Sequence, residues 1–319
     1  MIILSTIAVL AFMVTLVYLS YRNAKKLVYP TRRSLQRLPV DAGILMWENV
    51  TFKSSDDLKL KGWFVPATEP SNKVVICVHG LRRNRERFLT QAAFLHNQGY
   101  NVLLFDPRNH GESEGDTTSM ALYEIRDVEA ALSFIKKRLG EDLTIALMGH
   151  SMGAATVLRA TSRLPHIKAS IAISSYSSLK ANIADGVRTF TKAPPFPLAP
   201  LIVWWCEYLT KGKVQDINPL TDLTKFADKP LLLIHGEADT VIRPQNSQRL
   251  YEKRPHQSQL IMLAGAGHNA VLSEPYFKQY KTELVNFLDS HMHDNATPIL
   301  SSGIPAISLE NRRPNLLAA

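Results

Sequence analysis

A serine, a carboxylate and a histidine stand in this chain in surroundings that suit acyl chemistry. Ser151 lies in Gly149-His150-Ser151-Met152-Gly153, between an apolar run at 143–148 and an amphipathic stretch at 152–164. A G-x-S-x-G turn between a strand and a helix forces the serine into a strained conformation and exposes its hydroxyl above the sheet, at the positive end of the helix. That hydroxyl is a poor nucleophile until a base takes its proton. His268, in Gly265-Ala266-Gly267-His268 just past the run 260–263, is the candidate base. Its imidazole needs an orienting carboxylate. Asp239, just past the run 230–234, fits, with Glu237 as second choice. Asp is also common in turns and helix caps, so a purely structural role for Asp239 stays open here.

An acyl-transfer site also needs backbone N–H groups aimed at the oxygen that becomes negative. Met152 follows the serine and offers one. The second is expected from Leu81, in His79-Gly80-Leu81 after the run 74–78, where Gly80 allows a tight approach. Such a set calls for no metal and no organic cofactor, and no zinc-type cysteine pair is present: the two cysteines, Cys77 and Cys206, read as ordinary buried thiols.

These residues need a frame. Of 319 residues, 45% are apolar and 20% charged, which supports a sizeable core. Residues 47–53 and 58–65 alternate like an antiparallel pair around Ser54-Ser55-Asp56-Asp57. Short continuous apolar runs follow at 74–78, 102–105, 143–148, 169–173, 230–234 and 260–263, as in parallel strands covered on both faces. Helical stretches at 88–96, 120–139, 152–164, 245–253 and 276–291 separate most of them. The expected fold is α/β, with a mostly parallel central sheet flanked by helices over residues 45–292. A helical lid, about 176–228, is inserted between strands 6 and 7. The tail 293–319 is polar and irregular and is expected to be disordered.

Residues 2–20 carry no charge and are long enough to cross a bilayer. The span 1–20 reads as a retained anchor rather than a signal peptide, because the basic residues follow the apolar run instead of preceding it. Residues 21–44 read as a basic juxtamembrane linker, with Arg22, Lys25, Lys26, Arg32, Arg33 and Arg37. That flank predicts a single-pass membrane protein whose catalytic domain faces the cytoplasm. It also accounts for much of the net charge of +9, and no nucleic-acid motif accompanies it.

With these motifs in view, the sequence resembles the α/β-hydrolase superfamily over residues 45–292. Lys73 to Gly80, Asp106-Pro107-Arg108-Asn109-His110-Gly111-Glu112-Ser113-Glu114-Gly115, Gly149 to Gly153, His235 to Val241 and Gly265 to His268 resemble its serine aminopeptidase and monoacylglycerol-lipase-like branch. The resemblance implies an esterase, lipase, thioesterase or peptidase with Ser151, Asp239 and His268 as triad. One departure is Asp56-Asp57, where many relatives carry Asp-Gly at the hairpin turn.

The expected activity is hydrolysis of a carboxylic ester or thioester, small or lipid-derived, through an acyl-enzyme. Rival readings are an acyltransferase or aminopeptidase using the same triad, and a catalytically silent membrane-bound interaction module. Asp106, Arg108, His110 and Ser113 read as buried scaffolding of the loop beside the site. Arg82 and Arg83, in the run Arg82-Arg83-Asn84-Arg85-Glu86-Arg87, are candidate contacts for an anionic substrate, or simply a solvated loop. Trp204 and Trp205 line an acyl pocket, touch the bilayer or form the lid's own core. Nothing in the sequence sets an oligomeric state.

Overall fold

Runs of Val, Ile and Leu that are apolar on both faces become the centre of the sheet, because only burial on both sides satisfies them. The computed structural model describes residues 2–292. Its strands are β1 Glu48–Lys53, β2 Lys59–Val65, β3 Lys73–Val78, β4 Asn101–Phe105, β5 Thr144–His150, β6 Ile167–Ile173, β7 Leu231–Gly236 and β8 Ser258–Leu263. They form one sheet in the order β1-β2-β4-β3-β5-β6-β7-β8. The pairs β1–β2 and β2–β4 are antiparallel, and every other pair is parallel. The helices are α1 Ile2–Val28, α2 Leu89–Asn97, α3 Glu124–Leu139, α4 Met152–Thr161, α5 Leu179–Thr191, α6 Leu198–Thr210, α7 Pro219–Asp222, α8 Gln245–Lys253 and α9 Glu274–His291. The protein is thus α/β, with α5, α6 and α7 inserted between β6 and β7. One apolar layer joins the sheet to α2 and α9 around Trp63, Leu95 and Leu284. The other joins it to α3 and α4 around Ile76, Val128 and Val157.

Three segments differ from the sequence reading. The N-terminal helix does not stop near residue 20 but runs on to Val28, burying Ser20, Ala24 and Val28. These three recur every fourth residue, one stripe of the helix surface. Ala24 and Val28 pack with Met152, Ala155, Ile202 and Cys206 of the lid and the nucleophile helix. Nor is the segment after it a loose linker. Thr118 N–H donates to Val28 O at 2.8 Å, Arg32 Nη1 donates to Ser113 O at 2.5 Å, and Asn84 Nδ2 donates to Ser34 O at 3.1 Å. The Glu86 carboxylate accepts the N–H groups of Gln36 and Arg37. Partners some 50 to 90 positions away in sequence hold this strap against the domain, which is why local composition read as a linker. The expected disordered tail, 293–319, lies outside the described residues.

The third difference is the start of α3, at Glu124 rather than 120. Met120 and Ala121 take left-handed backbone angles, φ 57° and 82°. The fully buried Glu124 carboxylate accepts from Ser119 N, Ser119 Oγ and Ala121 N at 2.6 to 2.8 Å and fixes that turn. Glu124→Ala strands these buried donors and is expected to lower unfolding free energy by about 2–4 kcal/mol. Urea denaturation checks this; a loss below about 0.5 kcal/mol, the range of an ordinary surface change, contradicts it.

Candidate active site

Between β5 and α4 the chain turns within one residue. Ser151 holds φ 58° and ψ −121°, a conformation costly for any residue with a side chain. The neighbours make room for it. A Cβ on Gly149 would lie 2.3 Å from Gly153 O, and one on Gly153 would lie 2.0 Å from Val78 O. Only glycine lets the elbow pass so close to its own helix and to the end of β3. Ser151 N–H donates to Ile173 O at 2.9 Å, tying the elbow to β6.

Three strand ends bring the polar side chains together. Ser151 Oγ lies 3.0 Å from His268 Nε2. His268 Nδ1 lies 2.7 Å from Asp239 Oδ2. The other oxygen, Asp239 Oδ1, accepts from the N–H groups of Val241 and Ile242, each at 2.9 Å. Asp239 is therefore both the turn residue and the histidine's partner, and the two roles cooperate in aiming the carboxylate. Glu237, the other carboxylate considered, is exposed. Burial alone raises the Asp239 carboxyl, but hydrogen bonds from His235 and His268, with the His268 charge, outweigh it and hold the group well below the usual carboxylate range. Asp239 stays ionised at any pH where the enzyme would work. With a folded value below the unfolded one, its stabilising contribution is complete above the unfolded value and is lost as pH falls towards the folded one.

The two expected oxyanion donors flank the serine. Met152 is fully buried as the first residue of α4, and Leu81 follows Gly80, whose Cβ position is 3.0 Å from Ser151 Cβ. Among the described residues, neither N–H donates to a backbone carbonyl outside regular structure.

Two histidines that sequence reasoning passed over complete the surroundings. His150, just before the nucleophile, is buried, and its Nε2 donates to His268 O at 2.9 Å. It braces the loop that carries the base. Burial, then the charges of His268 and Arg87, push His150 well below the ordinary histidine value, so it remains a neutral donor. His235 lies 3.2 Å from Asp239 Oδ2 and 2.9 Å from Ile242 O through Nε2, while Nδ1 accepts from Ser247 Oγ at 2.6 Å. Its position at the end of β7 was the available signal.

The remaining candidates separate. Asp106 accepts Arg85 N–H at 2.7 Å, the Arg85 guanidinium and Glu112 N–H at 3.1 Å. Arg108 pairs with Asp127 and Asp56, and Ser113 Oγ donates to Asp106 O at 2.6 Å. Asp56 is thereby explained, and Asp57 beside it sits at φ 64°, where glycine is otherwise favoured. Arg82 Nη2 donates to Lys26 O at 2.9 Å, satisfying a carbonyl at the end of α1. Arg83 is half-buried on the same loop. Trp205 packs edge-on against Tyr21 of α1 with centroids 5.0 Å apart, and Trp204 stacks on Tyr208 at 5.7 Å. Among the described residues no cluster is suited to a metal.

Residues 69–221 match the family model for serine aminopeptidases of family S33. An esterase of Pyrococcus furiosus, Pf2001, superposes with a TM-score of 0.69 at 29% identity, over 84% of this chain and 99% of its own. The chain is an α/β-hydrolase. The hydrolase is also similar to YqkD of Bacillus subtilis, 29% identical over 238 residues that cover 74% of this chain and 77% of YqkD. Human protein ABHD12B is 26% identical over 267 residues, 75% of this chain and 68% of its own.

The elbow geometry makes a paired prediction. Gly153→Ala drives a methyl into Val78 O and is expected to leave little folded protein. Gly267→Ala, whose Cβ would meet nothing closer than 3.9 Å, is expected to fold with stability within about 0.5 kcal/mol of wild type. Thermal melting of both checks this; a normally stable Gly153→Ala contradicts the packing described.

Proposed function

We propose that this hydrolase cleaves a carboxylic ester or thioester through an acyl-enzyme on Ser151. The observation that carries the reading is the unbroken chain from Ser151 Oγ to His268 Nε2 at 3.0 Å and from His268 Nδ1 to Asp239 at 2.7 Å. Ser151 Oγ attacks the carbonyl carbon as His268 Nε2 takes its proton. The Leu81 and Met152 N–H groups hold the oxygen that becomes negative. As the tetrahedral species collapses, His268 gives the proton to the leaving group. Water, deprotonated by His268, then attacks the acyl carbon, the acyl–Oγ bond breaks as His268 returns the proton to Ser151 Oγ, and the acid leaves. Asp239 keeps the imidazole in the tautomer that leaves Nε2 free to accept.

Esters are favoured over peptides because two of the three obvious lid acids are engaged, the third, Asp216, being exposed. An aminopeptidase needs an acidic group to hold the substrate ammonium. Asp185 is paired with Arg188 at 3.0 Å, and Glu207 accepts Val214 N–H at 2.9 Å. The similarity to the Pf2001 esterase points the same way.

The location of the site is part of the proposal. Ile2–Val28 is apolar and long enough to cross a membrane. Its exposed Arg22, Lys25 and Lys26 favour a domain on the cytoplasmic face. An open apolar groove lined by Met13, Val14, Val17, Tyr18, Tyr21 and Trp205 runs between α1 and the lid helix α6. With 1.5 Å of rise per residue, Met13 lies about 12 Å deeper along α1 than Tyr21, so the lid flank beside it meets the lipid. Phe190, Phe196, Trp204 and Tyr208 are exposed on the lid, as suits residues at a membrane interface. A lipid-derived ester then reaches the lid from the bilayer.

Two outcomes are expected. Ser151→Ala loses fluorophosphonate labelling and at least about 10⁴-fold in kcat on a p-nitrophenyl ester, and Asp239→Asn loses about 10³- to 10⁴-fold. Retained labelling of Ser151→Ala contradicts the assignment. In vesicles of lipids brominated on the acyl chain, tryptophan emission is quenched, and Trp204→Phe/Trp205→Phe removes most of that quenching, since Trp63 is buried in the domain core and Trp47 packs against it. Undiminished quenching in the double variant removes the lid from the membrane.

A further inference from the structure

Four arginines crowd the loop after Leu81, and the structure sorts them. Arg85 is neutralised by Asp106 and Glu112. Arg82 is spent on the end of α1. Arg83 and Arg87 are left, and among the described residues neither has a carboxylate partner. The nearby acid, Glu86, is turned away, its oxygen held by the N–H groups of Gln36 and Arg37.

Arg87 is the best placed. Its Nη2 donates to Asn269 O, one residue past His268, while its Nε is buried and has no partner among the described residues. Another arginine, Arg83, lies close enough to act on it. Burial first, then the charge of Arg83, pull the Arg87 guanidinium down to about 10, and burial and Arg33 lower Arg83 in the same sense. Arg33 belongs to the strap, whose neighbouring carbonyl, Ser34 O, is bonded to Asn84. Like charges brought together and partly desolvated repel, and an anion held between them relieves that repulsion. Guanidinium groups suit a phosphate, with flat pairs of donors matching its oxygens.

We infer that Arg33, Arg83 and Arg87 form an anion subsite beside the His268 loop that takes a phosphate group carried by the ester substrate. This rests on the proposed hydrolase activity. It narrows the substrate to esters bearing a phosphate within reach of the loop between the oxyanion donor Leu81 and α2. Two sources of phosphate share this chemistry: the substrate itself, and headgroups of the surrounding bilayer.

The test uses the full-length protein in a neutral detergent, with 1-hexanoylglycerol 3-phosphate and 1-hexanoylglycerol as probes. Wild type is expected to favour the phosphorylated ester in kcat/KM by about tenfold or more, the effect of one or two charge-assisted hydrogen bonds. Arg83→Gln and Arg87→Gln are each expected to cut that preference by roughly tenfold, mainly through KM. Arg249→Gln, which removes one exposed charge on α8, keeps the wild-type preference. A wild-type ratio near one, or a ratio untouched by Arg83→Gln and Arg87→Gln, overturns the proposal. If neither ester is turned over, the activity reading has failed and binding decides. Calorimetric binding of the phosphorylated ester to Ser151→Ala that weakens on adding Arg87→Gln supports the subsite, and no binding overturns it. In phosphatidylcholine vesicles, adding phosphatidylglycerol separates the two sources. If it reduces the wild-type preference to that of the Arg variants, headgroups fill the cluster and the substrate assignment is overturned. A preference that survives in wild type supports it.

Discussion

Everything at this site depends on one backbone conformation. Ser151 sits at φ 58°, and that strain persists only because the surroundings over-determine it. Gly149 and Gly153 remove the Cβ atoms that would collide with Gly153 O and Val78 O, and the Ile173 carbonyl receives the Ser151 N–H. The parallel strands β3, β5 and β6 fix those atoms. The sheet thus acts as a jig for one residue, and the loops after β7 and β8 are then free to bring Asp239 and His268 to it. Paired histidines finish the task. His150 braces the His268 backbone and His235 braces Asp239, so the base and its carboxylate are each held by a buried ring.

The N-terminal helix belongs to the same unit. Its last two turns lie in the apolar cluster shared by α6, α5 and Met152, and Arg82, next to the expected oxyanion donor, closes its C-terminal end. Movement of α1 would therefore be felt at the lid and at the loop after β3.

How much of this was legible in the sequence depended on the range of the forces involved. Central strands announce themselves as short apolar runs, so the sheet and the positions of Ser151, Asp239 and His268 just past strand ends could be read locally. The G-x-S-x-G spacing carried the elbow because steric room is a local demand. The strap was not legible, since Glu86 holds Gln36 and Ser113 holds Arg32 across long stretches of chain. Met120 and Ala121 continued an apolar period, yet a buried carboxylate at Glu124 imposed left-handed angles there. Arg82 and Arg83 looked equivalent as neighbours in a basic run. Only the fold shows that one reaches Lys26 O and the other has no carboxylate partner among the described residues.

The central claim is a covalent intermediate on Ser151, and rapid acid quenching with p-nitrophenyl acetate followed by peptide mass analysis tests it most directly. An acetyl group on the peptide containing Ser151, accumulating in wild type and absent from His268→Ala on the same timescale, is the expected result. An acetyl group on another residue, or release of p-nitrophenol by folded enzyme with no adduct on Ser151 at any time, would contradict it.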